Sequence, residues 1–249
     1  MYRFFVEPEA IDTASGIITI TGEDVRHIRD VLRMRAGEQV LLCTAAGEDP
    51  VDYLCEISEC GEQILTRIIE KRRCESELES KIYLFQALPK GDRMETVIQK
   101  SVELGVHAIV PIVTRRTIVK LDAKRAAKKT DRWNSISLAA AKQSKRGIIP
   151  KVEQTLSWKE ALVRAKELDR ILLPYENAEG MDYTRRVLSE IRPGESIGIF
   201  IGPEGGFEDA EVEELKNQGA KVISLGHRIL RTDTAGPALI AALMLQLET

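Results

Sequence analysis

The sequence predicts an α/β protein in which a small N-terminal β domain precedes a larger C-terminal domain with a parallel sheet. In residues 1 to 72, short apolar segments are separated by glycines, which is typical of a small β-barrel or sandwich. From residue 82 onwards, apolar runs alternate with helical segments, as in successive β-α-β units. Between them, Lys71–Lys81 is charged and has no apolar periodicity. We therefore predict domains at 1–72 and 73–249.

The N-terminal domain is predicted to contain five strands and one helix. Arg26 and Arg29 in the helix, with Arg33 and Arg35 just after it, could form a second basic face, and Arg29 and Arg33 are four residues apart. These two share one side of the helix if it extends that far. The predicted helix is Glu23–Leu32, and the strands are Tyr2–Val6, Ile17–Thr21, Val40–Cys43, Tyr53–Ser58 and Gln63–Glu70.

The C-terminal domain is predicted to begin with a β-α-β unit followed by a long basic helix. Asp92 and Glu95 form a capping-box pair at the start of the first helix, and Gly105 suits its C′ position. The strand before this helix is continuously apolar, as expected for a strand that is buried on both faces. The predicted strands are Ile82–Leu88 and Val106–Val113, and the helices are Asp92–Leu104 and residues 123–145.

The rest of the domain is predicted to continue the alternation of helix and strand. Its last helix is almost wholly apolar, which indicates burial in a core or at a subunit interface. The predicted helices are Lys159–Leu168, Asp182–Ile191, Phe207–Gly219 and Thr234–Leu247, and the strands are Arg170–Pro174, Ser196–Ile201 and Lys221–Leu225.

Composition excludes several classes of protein. The 249 residues are 43% hydrophobic and 30% charged, as in soluble globular proteins. No apolar run reaches the roughly 18 residues of a membrane span, and the N-terminus lacks a signal-peptide plan, so we expect a cytoplasmic protein. The four cysteines and three histidines are widely spaced without a C-x-x-C pattern. We therefore expect reduced thiols and no metal site.

The charge distribution points to a nucleic-acid partner. The net charge is −3, but residues 115–146 contain 11 Lys/Arg and 2 Asp/Glu, a local charge of +9 against −12 elsewhere. A concentrated basic block on an acidic protein is expected for contact with a phosphate backbone. The same block is also compatible with a solvated helix face.

Unusual loops follow three successive strands of the C-terminal domain. They are residues 174–178, the glycine-rich Gly202–Phe207, and Gly226–Ala235. Ligands bind at the carboxyl ends of strands in open α/β sheets, so these loops converge on one pocket if their strands are neighbours. The segment Thr232–Thr234 is also suited to capping the last helix, with Pro237 in its first turn.

Six motifs follow one another along the chain: Arg3–Val6, His27–Arg33, Lys90–Gly105, Ala140–Ser144, Gly202–Gly206 and Leu225–Ala235. In this order they resemble the bacterial 16S ribosomal RNA uridine-N3 methyltransferases (RsmE family) of the SPOUT, or trefoil-knot, superfamily. The resemblance runs through nearly the whole chain. Two departures concern Asp233, where the family usually has Glu, and Cys43–Pro50, where it usually has an Asp-Gly turn.

The resemblance implies a PUA-like N-terminal domain, a knotted α/β domain that dimerises, and S-adenosyl-L-methionine (AdoMet) bound in the knot loops. It also implies that the substrate is the RNA of the small ribosomal subunit. Carried over position by position, the predicted cofactor-binding residues are Leu173, Pro174, Tyr175, Ile201, Gly202, Pro203, Glu204, Gly205, Gly206, Leu225, Gly226, Ile229, Leu230 and Thr234.

Two residues of the third loop are predicted to be catalytic. The uracil N3–H is weakly acidic, so a cation that stabilises the developing uridinate helps the reaction, and a carboxylate can accept the proton. We assign Arg231 to the first role and Asp233 to the second. Glu204 has a competing interpretation, in which its carboxylate braces the glycine turn through backbone N–H groups.

RNA contacts are predicted on the basic segments. Aromatic residues are only 5% of the chain, so an extended stacking platform for single strands is not expected. The predicted RNA-binding residues are Arg26, Arg29, Arg33, Arg115, Arg116, Lys142, Lys145 and Arg146.

Alternative functions stay open at this point. They are methylation of a ribose 2′-hydroxyl by the same fold, and RNA binding without catalysis on the same scaffold. A Rossmann-type enzyme is discounted, because residues 89–93 after the first strand of the α/β domain contain one glycine rather than G-x-G-x-x-G.

Overall fold

A computed structural model describes residues 1–44, 50–119, 122–176, 178 and 180–248, without the side chain of Ala123. Most of the unusual segment Cys43–Pro50 therefore lies outside the described residues. The chain forms two compact units. The first contains Met1–Glu77 and Ala141–Ile149, and the second contains Leu78–Ala140 and Pro150–Thr249. Each unit combines segments that are distant in sequence, whereas the predicted domains are the continuous ranges 1–72 and 73–249. Those ranges therefore stay a prediction.

The first unit is built on one six-stranded sheet in the order β1-β4-β5-β6-β3-β2, a half-barrel rather than a sandwich. All five predicted strands are present. Neighbours are antiparallel except β1 and β4, which are parallel. A 3₁₀ turn, Pro8–Ala10, and a π-helical turn, His27–Val31, join the regular elements. These are β1 (Arg3–Phe5), β2 (Ile11–Asp12), β3 (Ile17–Ile20), α1 (Glu23–Arg26), β4 (Gln39–Cys43), β5 (Val51–Cys60) and β6 (Ile64–Arg73).

Two expectations for this unit were wrong. The helix does not continue to Leu32 with α-helical spacing, because a π-helical turn follows α1 and Arg33 has a left-handed φ of 54°. Arg29 and Arg33 therefore do not lie on one side of a helix. The last predicted strand, Gln63–Glu70, ends too early, since β6 pairs with β5 as far as Arg73.

The second unit contains the predicted parallel sheet, in the order β10-β8-β7-β12-β11-β13 with β9 also paired to β8. Every pairing in it is parallel. The two-residue strands β9 and β10 were not predicted, because such short segments show no periodicity. The elements are β7 (Lys81–Ala87), α2 (Arg93–Glu103), β8 (Ala108–Val113), α3 (Ala123–Gln143, whose last turn belongs to the first unit), β9 (Lys151–Val152), β10 (Leu156–Ser157), α4 (Trp158–Ala165), β11 (Arg170–Pro174), α5 (Met181–Ser189), β12 (Ser196–Ile201), α6 (Asp209–Asn217), β13 (Lys221–Ile223) and α7 (Thr232–Leu247).

The central strands hold the core of this sheet. Phe85 on β7 and Phe200 on β12 are fully buried, and their rings stack with centroids 4.3 Å apart. Gly105 has the expected left-handed φ of 95° after α2. The capping-box prediction was wrong, since the side chain of Asp92 makes no capping hydrogen bond and Glu95 forms an ion pair with Arg132 instead.

The structure also bears on two exclusions. None of the four cysteines, all of which are among the described residues, forms a disulfide. Across the described ranges, no helix has the length and apolar character needed to cross a membrane.

Candidate active site

The three unusual loops converge at one edge of the parallel sheet. Strands β12, β11 and β13 are neighbours and run parallel, so the loops that follow them meet, as the sequence predicted. They enclose a cavity of about 520 Å³, which is within the usual range for small-molecule sites. A second cavity of about 400 Å³ shares Pro174, Tyr175, Ile229 and Leu230 with the first and continues along the third loop. The two cavities together form one bipartite site.

The glycine turn after β12 is tightly folded. The Gly206 N–H donates to the Pro203 carbonyl at 2.9 Å, and Gly206 has a left-handed φ of 68°. A Cβ atom at Gly202 would lie 3.1 Å from the carbonyl carbon of Gly206. Phe207 is buried directly after the turn. The three glycines of the turn therefore offer main chain without side chains to the cavity, which Pro203 and Glu204 also line.

Glu204 ties the glycine turn to the loop after β7. Its Oε1 accepts hydrogen bonds from the Lys90 backbone N–H at 3.0 Å and from Arg93 Nη1 at 2.6 Å. Burial alone would raise the pKa of Glu204, but hydrogen bonds from backbone N–H groups and the charge of Arg93 hold it below its usual value. These contacts support the interpretation that Glu204 braces the glycine turn through a backbone N–H group. The donor is Lys90, which lies outside the turn.

Two predicted RNA-binding arginines lie beside this cavity. The buried carboxylate of Glu211 accepts the backbone N–H of Arg115 at 2.8 Å, and Arg115 Nη1 lies 3.2 Å from Glu208 Oε2. Arg116 lines the cavity and donates from Nη1 to the Gly205 carbonyl at 2.8 Å. Arg116 therefore lines the site and is also an exposed cation at the surface.

Tyr175 lines both cavities. Its hydroxyl donates to Asp209 Oδ1 at 3.3 Å. Burial, and then the negative charge of Asp209, raise the pKa of this phenol. The hydrogen bond therefore ties the first loop to the start of α6.

The third loop leads into α7 without the predicted side-chain cap. Helix α7 begins at Thr232, and its N-cap residue is Arg231, which makes no side-chain capping bond. The Thr232 hydroxyl instead donates to the Gly202 carbonyl at 2.6 Å. Pro237 lies in the second turn rather than the first. The capping prediction was wrong, because the Thr232 hydroxyl binds the glycine turn.

Most predicted cofactor-binding residues line the bipartite site. Leu173 is fully buried in the sheet core, and Thr234 is exposed on the first turn of α7, so neither side chain lines it. The lining members of the predicted set are Pro174, Tyr175, Ile201, Gly202, Pro203, Glu204, Gly205, Gly206, Leu225, Gly226, Ile229 and Leu230.

The two predicted catalytic residues are placed differently. Arg231 lines the larger cavity and is exposed. Asp233 does not line it, but lies two residues further on in the first turn of α7. Its Oδ1 is buried and has no hydrogen-bond partner within the part of the chain that the structure describes.

The other predicted RNA-binding residues belong to the first unit. Arg26, Arg29, Arg33 and Lys145 are exposed there. Lys142 forms an ion pair with Asp24 on α1 at 2.9 Å, which brings the end of α3 next to the arginine-bearing helix.

Arg146 is the exception among the predicted RNA contacts. It is 3% exposed, and its guanidinium pairs with Glu77 through Nη2 at 2.6 Å and Nε at 2.9 Å. Its guanidinium is therefore not available for a contact with RNA phosphates.

Metal binding is not indicated at this site. In residues 1–44, 50–119, 122–176, 178 and 180–248, no group of three or more His, Cys, Asp and Glu side chains could hold a metal ion.

Comparison with known proteins identifies the family. The RNA methyltransferase domain model matches residues 76–244, and the RNA methyltransferase PUA domain model matches residues 20–66. Ribosomal RNA small subunit methyltransferase E from Bacillus subtilis (strain 168) is 37% identical over 254 residues, covering 100% of this chain and 98% of that protein. The chain belongs to the ribosomal RNA small subunit methyltransferase E family.

Other members agree over the full length. The relative from Mesomycoplasma hyopneumoniae (strain 232) is 33% identical and is matched over 96% of this chain and 97% of its own. A crystal structure of ribosomal RNA small subunit methyltransferase E from Neisseria gonorrhoeae, bound to S-adenosyl methionine, superposes with a TM-score of 0.80 at 32% identity, covering 99% of this chain and 98% of that chain. The predicted fold class, an α/β SPOUT-type methyltransferase domain with a PUA-like domain, is thus confirmed, while the trefoil knot stays a prediction.

Arg93 and Gln86 were not predicted from the sequence as site residues. Arg93 lines the larger cavity, and Gln86 makes a buried hydrogen bond to Thr232. Arg93 lies inside one of the motifs that carry the family resemblance, so that motif was the available signal. Gln86 lies inside an otherwise apolar strand, and a single polar residue does not interrupt the apolar run by which such a strand is predicted.

Proposed function

We propose that this protein transfers a methyl group from AdoMet to N3 of a uridine in 16S ribosomal RNA of the small subunit. The observation that carries the proposal is the convergence of the three strand-end loops on one bipartite cavity. The names of the family members point to the ribosomal substrate, and the Neisseria gonorrhoeae relative was crystallised with the cofactor.

The residues of the cavity fit AdoMet. A largely apolar wall with a few polar groups is what an adenosine needs, and Pro174, Ile201 and Leu230 provide such a wall. At the glycine turn, Gly202, Gly205 and Gly206 line the cavity without side chains, so a ligand can approach the main chain closely there. When bound, AdoMet supplies an electrophilic methyl group on a sulfonium.

The chain's own contribution to the reaction is charge stabilisation and proton acceptance. The uracil N3–H has a pKa on the order of that of Tyr or Lys, so little anion exists at neutral pH. Arg231 lines the cavity and carries no capping bond that would withdraw it, so its guanidinium stabilises the developing uridinate.

Asp233 serves as the proton acceptor. Its side chain does not line the cavity, but its buried Oδ1 lacks a donor among the described residues, and a buried acceptor without a donor is costly unless a ligand satisfies it. Replacing Asp233 by Asn keeps the shape and removes the charge. Methylation measured at saturating AdoMet should fall sharply in this variant, and full activity would exclude Asp233 as the base.

RNA is held by the first unit as well as by the cavity rim. The ion pair between Lys142 and Asp24 joins the end of α3 to α1, so Arg26, Arg29, Lys142 and Lys145 share one unit. Phosphate contacts of this kind provide affinity without sequence information. The target base is read in the cavity, as an unstacked uridine within folded RNA.

A second copy of the chain covers the exposed side of α7. Ala238, Ala242 and Leu245 recur at helical spacing on this side, and Leu245 is 76% exposed. An apolar helix of this kind is suited to an interface between identical subunits. Leu245→Glu should convert a dimer to a monomer by light scattering, whereas Val163→Glu on the exposed side of α4 should not; a monomeric wild-type protein would refute the dimer.

The proposed function is tested by incubation with AdoMet labelled in the methyl group. Small ribosomal subunits that lack the modification should become labelled in their RNA, while large subunits under the same conditions should not. This substrate also places the protein in the cytoplasm, where ribosomal subunits are found. Saturable AdoMet binding with no transfer to either subunit would favour the non-catalytic alternative.

A further inference from the structure

A buried glutamine links three parts of the second unit. Gln86 lies on β7 and is fully buried. Its Nε2 donates to the Thr232 hydroxyl at 2.9 Å and to the Ala87 carbonyl at 3.0 Å. The Thr232 hydroxyl in turn donates to the Gly202 carbonyl at 2.6 Å. One side chain thus connects the central sheet, the start of α7 and the glycine turn.

The packing of α7 on the sheet makes this connection possible. Leu84 and Gln86 are two residues apart on β7 and therefore point to the same face of the sheet. Thr232 and Gly236 are one turn apart on α7. A Cβ atom at Gly236 would lie 3.1 Å from Leu84 Cδ1, so helix and strand are in close contact there. This contact brings Gln86 within hydrogen-bond distance of Thr232.

The hydrogen bonds have a fixed direction. The Gln86 amide nitrogen can only donate, so the Thr232 oxygen accepts from it and directs its own proton to the Gly202 carbonyl. A carboxylate at position 86 would accept the Thr232 proton instead and leave that carbonyl without its donor. The chemistry of residue 86 therefore decides whether the glycine turn is bonded to α7.

We infer that Gln86 is a positioning residue for methyl transfer, which acts through Thr232 to hold the glycine turn and Arg231 in register. Arg231 immediately precedes Thr232, and Gly202 opens the turn; both line the same cavity. Gln86 and Thr232 belong to none of the three predicted sets of site residues. The inference rests on the proposed function, because it assigns the residue to that reaction.

The test compares variants that differ in hydrogen bonding at nearly constant shape. Gln86→Glu reverses the direction of the bond, and Gln86→Met removes it. Thr232→Val removes the hydroxyl, whereas Thr232→Ser retains it. Ser101→Ala is the matched control, because Ser101 is fully buried in the same unit and its hydroxyl has no hydrogen-bond partner among the described residues.

Each variant is assayed for AdoMet dissociation constant by calorimetry, for kcat and KM, and for Tm. Losing one buried hydrogen bond at the turn should weaken AdoMet binding about tenfold and lower kcat in Gln86→Glu, Gln86→Met and Thr232→Val. Thr232→Ser should retain both values, and Ser101→Ala should leave AdoMet binding and kcat unchanged. A purely structural role would lower Tm without this selective loss.

The possible outcomes separate the inference from the function on which it rests. Wild-type AdoMet affinity and kcat in Gln86→Glu and Thr232→Val overturn the inference while the proposed function stands. If the Gln86 variants do not fold, the Thr232→Val and Thr232→Ser pair carries the same comparison. A wild-type protein that neither binds AdoMet nor methylates subunits overturns the proposed function and the inference together.

Discussion

Replacing Gly202 by alanine tests whether the glycine turn is a backbone cradle for the cofactor. The new Cβ would lie 3.1 Å from the carbonyl carbon of Gly206, 3.2 Å from its Cα and 3.2 Å from Phe207 Cδ2. Carbon atoms pack best at about 3.5–4.0 Å, so the neighbours must move by about 0.3–0.5 Å. Phe207 is anchored in the core, and the shift therefore falls mainly on Gly206.

The expected loss follows from overpacking at this turn. Overpacking of this kind costs about 1–3 kcal/mol. The free variant relieves this strain by shifting the turn, and the same energy is needed to return the turn to its binding conformation when AdoMet binds. We expect the AdoMet dissociation constant of Gly202→Ala to rise about 10- to 100-fold by calorimetry. Gly61→Ala is the control, because the nearest atoms to its Cβ are 3.9 Å away and its backbone is not left-handed. Wild-type AdoMet affinity in Gly202→Ala would refute the cradle.

Three further predictions concern the catalytic cation, the RNA surface and a buried thiol. Arg231→Ala should lower kcat by about 100-fold or more while AdoMet affinity is retained, whereas Arg185→Ala on the exposed side of α5 should keep the wild-type rate; a near-wild-type rate for the first variant would contradict the assignment. Changing Lys142 and Lys145 to glutamine should weaken RNA binding in a filter assay and reduce the slope of log affinity against log salt by about 1 for each lost phosphate contact, and an unchanged slope would count against this surface. Burial raises the pKa of the Cys55 thiol to about 11, above the roughly 8.5 of an unfolded thiol, so the folded state favours the protonated form. The stability that this preference contributes is complete below about pH 8.5 and is lost as the pH rises towards 11. Between pH 8.5 and 10 the free energy of unfolding should therefore fall by about 1.5 kcal/mol more in the wild type than in Cys55→Ala, and equal pH dependence would show that this thiol has no raised pKa.

The parallel sheet could be predicted because its pattern is local. Apolar runs marked β11 and β12 at the bounds that the structure has, Arg170–Pro174 and Ser196–Ile201. The adjacency of these strands with β13 decided that the three loops meet. The prediction assumed that these strands are neighbours and could not establish it, because strand order depends on contacts between residues far apart in sequence.

The predicted caps failed for a related reason. Thr232 and Asp92 have side chains that commonly cap helices, and the sequence offers no sign that they do otherwise. Thr232 is held by Gln86 and Gly202, which are 146 and 30 residues away. A tertiary partner therefore replaced the local one, and only the folded chain shows it.

Charge could be counted from the sequence but not assigned to a surface. Residues 115–146 form one basic block in the chain, yet Arg115 and Arg116 belong to the second unit and Lys142, Lys145 and Arg146 to the first. The buried pair of Arg146 with Glu77 removes one cation from the predicted contacts. Pairing and burial depend on the partner's position, which charge patterning does not encode.

The identity of the modified nucleoside tests the central claim most directly. Small ribosomal subunits lacking the modification are incubated with the protein and labelled AdoMet, and their 16S RNA is digested to nucleosides and separated by chromatography with mass detection. The proposed function predicts that the label co-migrates with N3-methyluridine and that Arg231→Ala suppresses it. Label in a 2′-O-methylated nucleoside, or in none, would contradict the proposed reaction.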